Sequence, residues 1–257
     1  MSYETIEFEV ADHVATVTLD RPQRLNAFNQ QMCEEFADVW RRVRRDDDVH
    51  VSVVRANGER AFCTGVDVAR GIDKPPNLWI WDDPGTHLGP KANDCWKPMV
   101  LAVNGMCAGG AFYWLNEADV VICDESATFF DPHVSYGMTS ALEPIGLARR
   151  VPLGEVLRWA LVGLDERMSA RRALEIGLVS EITPDATLRE RAAELAAIIA
   201  AKPSVATQGT VRAIWQSLDM TRTGAQATGL MYTQLGNPIG QAQVDRATFE
   251  RPDWRLR

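Results

Sequence analysis

No stretch of this 257-residue chain approaches the ~18 consecutive apolar residues of a membrane span. Positive charge is in deficit: 27 Lys+Arg against 35 Asp+Glu leave a formal net charge of −8. An acidic surface argues against non-specific binding to nucleic acid or anionic membranes, both of which need a positive field. An anionic small ligand stays possible, because a local basic pocket can sit on an acidic body. Cysteine is sparse: Cys33, Cys63, Cys95, Cys107 and Cys123 are odd in number, scattered and without a C-x-x-C pair. Neither a disulfide framework nor a metal site is expected. The leading Met1-Ser-Tyr-Glu-Thr-Ile-Glu lacks the basic and apolar blocks of a signal peptide, so a cytoplasmic location is expected.

What is present is an ordinary globular mixture, 46% hydrophobic and 24% charged, which excludes disorder and fibrous classes. Tyr3–Val10 and His13–Leu19 alternate as strands about an Ala11-Asp12 turn. Met32, Phe36, Val39, Trp40 and Val43 recur at helical spacing, in a helix ending on Arg41, Arg42, Arg44 and Arg45. Strands are expected at Val51–Arg55, Met99–Val103, Asp119–Cys123 and Val179–Ile182. Helices are expected from about Gly110 to Ala118, over Leu157–Gly163, Ala170–Ile176, Leu188–Ala201 and Ser204–Leu218, with two weaker ones beyond. Strands alternating with helices for some 180 residues, then helices alone, give an α/β core with a helical appendix. Asp73–Pro90, with four prolines, reads as a mobile loop or lid.

Two loops carry candidate chemistry. In Phe62-Cys63-Thr64-Gly65-Val66-Asp67-Val68 a glycine lies between a turn and an expected helix start. In Gly105-Met106-Cys107-Ala108-Gly109-Gly110-Ala111 a strand passes into a helix through paired glycines. Such loops leave backbone N–H groups aimed outward, able to hold an anion or a developing oxyanion, though a tight-packing turn would use the same residues. The Lys-Ser/Thr of a phosphate-binding loop and the G-x-G-x-x-G spacing of a dinucleotide fold are both missing.

Six segments, in order, resemble the crotonase superfamily, the enoyl-CoA hydratase/isomerase family. They are Leu19–Phe28, Arg60–Asp67, Val103–Ala111, Ala118–Ile122, Ala127–Pro132 and Met168–Ile182. The resemblance implies an α/β fold: a crotonase-like ββα spiral core for acyl-CoA over residues 1–200, and a C-terminal helical oligomerisation segment over 201–257. It implies a homotrimer or hexamer that acts on an acyl-CoA thioester, with coenzyme A as part of the substrate and no separate cofactor. By position, the amides of Val66 and Gly110 would form an oxyanion hole for a thioester enolate. Coenzyme A would lie along Arg24, Leu25, Cys63, Gly65, Asp67 and Val68, with Arg24 facing the nucleotide phosphates.

The departures from that family bear most on the reaction. Its hydratases hold a water between two glutamates; here Tyr113 and His133 occupy those positions. His133 suits a general base near neutral pH. Tyr113 can donate a hydrogen bond or, with a lowered pKa, a proton. Asp131 is placed to orient His133, and Glu143 is a further candidate acid. Each of these could instead be packing. Trp79 and Trp81 fall in the loop that caps the acyl pocket in the family and would suit a ring-bearing acyl group. The reading is an acyl-CoA enzyme of proton transfer, hydrolysis or C–C cleavage; the alternatives are a catalytically silent acyl-CoA-binding protein and a weak enoyl-CoA hydratase.

Overall fold

The computed structural model describes residues 3–73, 77, 79, 83–249, 254 and 256. The chain separates into two compact units, Met1–Ala200 and Ala201–Arg257.

The first unit opens with a hairpin of β1 (Ile6–Ala11) and β2 (Val14–Leu19). Its turn is Asp12-His13, both with positive φ (49° and 66°), one residue later than the sequence suggested. Two left-handed residues match the strand twist, and an aspartate tolerates that conformation better than Ala11 would. Helix α1 (Gln30–Arg45) follows, capped where Asn29 accepts from Met32 N at 3.1 Å. It buries Met32, Phe36, Val39, Trp40 and Val43, the stripe anticipated from their spacing.

The chain then alternates between two sheets. Strands β3 (Val51–Ala56), β5 (Met99–Val103), β7 (Val120–Asp124) and β10 (Glu181–Thr183) extend the hairpin into a six-stranded sheet of order β1-β2-β3-β5-β7-β10. Strands β4 (Ala61–Cys63), β6 (Met106–Ala108), β8 (Thr128–Phe130) and β9 (Met168–Ser169) form a smaller sheet, β4-β6-β8-β9. Three times a long strand turns through a few residues into a short one, so β4, β6 and β8 run parallel and release their carboxyl ends on one side. That is where parallel sheets habitually place ligands.

Helix α2 (Phe112–Glu117) is shorter than expected because Gly109–Ala111 forms a 3-10 turn ahead of it. Trp114 fixes its core face, edge-on to Phe28, Phe36 and Phe62 at centroid separations of 6.1, 5.1 and 5.8 Å. Helices α3 (Leu142–Leu147), α4 (Leu153–Val162) and α5 (Ala170–Glu175) follow, and Ser169 caps α5 by accepting from Arg172 N at 3.2 Å. Helix α6 (Leu188–Ala200) lays Leu188, Ala192, Ala196 and Ala200 on Val51, Val53, Val100, Ala102 and Ile122, a second core on the far face of the large sheet. All five cysteines are free and buried.

Two local expectations change. No helix follows Gly65; Arg70 N and Gly71 N both close onto Asp67 O, a turn. The stretch read as a lid lies partly outside the described residues. From Asp83 onward it is packed, with Pro84–Leu88 a 3-10 turn and Leu88 O accepting from buried Trp40 Nε1 at 3.0 Å.

In the second unit α7 (Ser204–Ser217) packs on α8 (Arg222–Ala242), which among the described residues is the one helix where two weaker ones were expected. Val205 and Ala206 approach Gly236 and Gly240, where a larger side chain on α8 would hold the helices apart. Among the described residues no helix is long and apolar enough to cross a membrane.

Candidate active site

The carboxyl ends of β4, β6 and β8 surround a cavity of about 640 Å³. Its floor is built from backbone. Phe28 and Val66 form an isolated parallel bridge, in which Phe28 N donates to Gly65 O (2.9 Å) and Asp67 N to Phe28 O (2.7 Å). In that pattern the intervening residue turns its own N–H away from the partner, so the Val66 amide faces away from Phe28. Gly65 has φ +87°, and a Cβ there would stand 3.2 Å from both Gly110 N and Ala108 O. Glycine alone gives the two loops this approach. The Gly110 amide belongs to the first turn of a helical segment, where N–H groups have no intrahelical acceptor. A Cβ on Gly110 would meet the Phe28 ring at 2.6 Å, so this position too admits only glycine.

The titratable groups come from β8 and the segment after it. Asp131 is fully buried and precedes Pro132, and its Oδ1 accepts from His133 N at 3.2 Å, a local turn that an Asp before Pro readily makes. The same oxygen meets His133 Nδ1, while Asp131 Oδ2 accepts from Ser140 Oγ. The His133 ring lies against Gly109, whose Cβ position is 3.6 Å from His133 Cε1. His133 Nε2 stands 3.9 Å from Glu143 Oε1.

Electrostatics follow from these contacts. The Asp131 hydrogen bond raises the His133 pKa above its ordinary 6.5; burial opposes this, and the charges of Asp131 and Glu143 assist. Burial pushes the Asp131 carboxyl up, but hydrogen bonds from His133 and Ser140 outweigh it and hold the group below the usual range. Glu143 is raised by burial against the opposing pull of His133. Tyr113 OH donates to Asp83 Oδ2 at 2.6 Å, and burial together with that bond lifts the phenol far above its usual value. The condition under which Tyr113 would give up a proton, a lowered pKa, is thus reversed. Among the described residues no group of three or more His, Cys, Asp or Glu is placed to hold a metal ion.

The sequence profile of the enoyl-CoA hydratase/isomerase family matches residues 9–244. The chain belongs to that family. A crystal structure of an enoyl-CoA hydratase/isomerase from Mycobacterium paratuberculosis is similar with a TM-score of 0.83 and 39% identity, over 91% of this chain and 90% of that one. An (E)-benzylidenesuccinyl-CoA hydratase from Thauera aromatica is 30% identical, over 90% of this chain and 88% of its own. A 1,2-epoxyphenylacetyl-CoA isomerase from Escherichia coli is also 30% identical, over 78% of each chain. The crotonase-type α/β fold anticipated from the six segments is the fold observed.

Within this crotonase fold, Val66, Gly110, Tyr113, His133 and Glu143 all line the one cavity. Arg24, Gly65, Asp67 and Val68 line it too, Arg24 exposed and Val68 almost wholly so. Asp67 is committed to a buried ion pair with Arg21 at 2.7 Å. Leu25 and Cys63 are not part of the lining; the Cys63 thiol is buried, which pushes its pKa up to about 12. Trp79 is exposed, and Trp81 lies outside the described residues. Sequence reasoning missed Ser140 and Asp83. Ser140 carries no local signal, since its partner lies nine residues back. Asp83 had one: an Asp directly before Pro84 is the signature of a helical-turn cap, and it accepts from Gly85 N at 2.9 Å.

Proposed function

We propose that the cavity binds an acyl-CoA thioester and that His133 moves a proton on the carbon chain beside the thioester carbonyl, through an enolate. The observation that carries this reading is the imidazole: Nδ1 is held by buried Asp131, itself held by Ser140, while the ring lines the cavity with Nε2 3.9 Å from Glu143, another lining residue. A silent binding protein has no need of a buried carboxylate that fixes one tautomer. Nε2 takes the α-proton, and the electron pair of the broken C–H bond passes to the thioester oxygen. The amides of Val66 and Gly110 receive that charge, donors already oriented before the reaction. The proton returns to carbon from the His133 imidazolium or from Glu143, whose burial keeps it toward its protonated form.

Arg24, exposed at the cavity, is the group we assign to the nucleotide phosphates. Tyr113 stays neutral and bounds the pocket. Both relatives are named for CoA thioesters carrying a six-membered carbon ring, one a hydratase and one an isomerase. That supports a ring-bearing acyl group for this chain. Hydration of crotonyl-CoA is expected to be very weak, because neither Tyr113 nor His133 supplies the proton handling of a carboxylate pair. Incubating a saturated acyl-CoA in D₂O and following loss of the α-proton signal by NMR tests the assignment. His133→Ala should slow the exchange by about 10²–10⁴ while the thioester still binds. Exchange at the wild-type rate in a folded His133→Ala protein would remove His133 from the chemistry.

A further inference from the structure

We propose that Asp83 recognises a neutral hydroxyl on the acyl group, remote from the thioester, and that the same end of the pocket rejects a carboxylate in that hydroxyl's place. This inference rests on the acyl-CoA reading of the cavity given above and names the class of acyl group it takes.

Donors and acceptors at one end of the cavity are out of balance. Asp83 lines the cavity, with Oδ2 accepting from Tyr113 OH at 2.6 Å and Oδ1 accepting from Gly85 N at 2.9 Å. A carboxylate oxygen has two lone pairs, so each oxygen keeps one free. The Tyr113 proton is already spent on Asp83, leaving that phenol oxygen able only to accept. This end of the pocket therefore offers acceptors to a ligand and no donor. Among the described lining residues the only Lys or Arg is Arg24, which is exposed.

Three ligand chemistries can be weighed against that arrangement. A carboxylate would meet acceptors and like charge, with no partner to offset its desolvation. A bare hydrocarbon end would strip water from Asp83 and return nothing, leaving a charged acceptor under-satisfied. A hydroxyl supplies the missing donor. An ammonium would supply it too, but Phe28, Ile72, Phe130, Met138 and Leu164 make the remaining walls apolar and penalise a strongly hydrated cation. The Tyr113 ring fixes where the hydroxyl sits. Its Cε2 lies 3.5 Å from the Cβ position of Gly110 and 2.7 Å from that of Gly85, so the ring separates the glycine loop from the Asp83 turn. A group reaching Asp83 is thus borne away from the thioester carbonyl and not on the adjacent carbon.

The test is a ligand ladder read by calorimetry on the full chain. The probes are 3-phenylpropanoyl-CoA, its 3- and 4-hydroxyphenyl analogues, its 4-carboxyphenyl analogue, and CoA alone. The tighter of the two hydroxyl compounds should bind about tenfold or more better than the unsubstituted one, and the carboxyl compound about tenfold or more worse. Asp83→Asn keeps an oxygen for Gly85 N and an uncharged partner for Tyr113, so it should fold and compress both differences to within about threefold. If every thioester binds better than CoA but the wild-type ladder is flat or reversed, the hydroxyl inference falls and the acyl pocket stands. If none binds better than CoA, the acyl-pocket reading falls and takes this inference with it. An unchanged ladder in a folded Asp83→Asn protein would overturn the role of Asp83; if that variant does not fold, the wild-type ladder alone decides.

Discussion

An imidazole works as a base through one nitrogen while the other is held, so the partner of His133 Nδ1 sets the pH range of any chemistry here. Asp131 raises the His133 pKa above 6.5, and only the neutral ring can accept a proton. Activity should therefore climb with pH along an acid limb whose midpoint lies above 6.5. Asp131→Asn removes the charge that raises it, so the midpoint should move to lower pH. The plateau rate should also fall by about 10²–10⁴, because an amide no longer fixes the Nδ1–H tautomer. Ser140→Ala should shift the same limb less, since Asp131 keeps its bonds to His133. Exchange measured across pH 5–9 checks both; an acid limb unmoved by Asp131→Asn would show that His133 is not the titrating base. At the backbone, Gly65→Ala forces a side chain into φ +87° and to within 3.2 Å of Gly110 N. It should cost about 10²–10³ in rate if Val66 and Gly110 hold the oxyanion, with CoA binding less affected. A folded Gly65→Ala protein at full rate would end that assignment.

At the scale of elements, the sequence is most readable where local pattern and tertiary contact agree. The α1 stripe and the Ser169 cap needed only periodicity and cap chemistry. The hairpin turn and the start of α2 came out shifted, because strand twist and the 3-10 turn at Gly109–Ala111 are decided by neighbours. The site divides the same way. Gly109-Gly110 and Asp-Pro-His are legible as loops, whereas Ser140 meets Asp131 and Asp83 meets Tyr113 only through the fold. Glu117, the last residue of α2, is another such case. Its Oε2 accepts from Lys91 N at 2.6 Å and Ala92 N at 3.1 Å, tying the loop that leads into β5 to the helix. Burial nonetheless pushes its pKa up to about 6 from 4.5. A carboxyl raised on folding contributes most below pH 4.5, and that contribution is lost as pH rises through 6. At neutral pH the buried charge thus costs about 2 kcal/mol. Glu117→Gln keeps an acceptor without the charge. Its melting temperature should exceed wild type at pH 7.5, and the gap should close toward pH 4.5. A gap that stays constant with pH would mean that Glu117 does not titrate as described.

For the whole molecule, the question is what covers the second unit. Helix α7 has no buried residue and α8 buries only Gly240. Ile214, Leu230, Met231, Leu235 and Ile239 are all more than half exposed, Leu235 at 71%. Helices hold their shape chiefly by burying an apolar face, and each such side chain is worth about 1.5–3 kcal/mol when fully buried. A two-helix unit that leaves five of them in water forgoes most of that stabilisation. We expect further copies of the chain to cover this surface, giving a trimer or a multiple of one. Light scattering coupled to gel filtration at micromolar concentration should report a mass at least three times that of the 28.6 kDa chain. Leu235→Glu would place a charge in the covered face and should shift the population toward smaller species. Because Leu235 is exposed within its own unit, the same change should leave the helical circular-dichroism signal intact. A monomer in the wild type, or an assembly indifferent to Leu235→Glu, would place the contact between copies elsewhere.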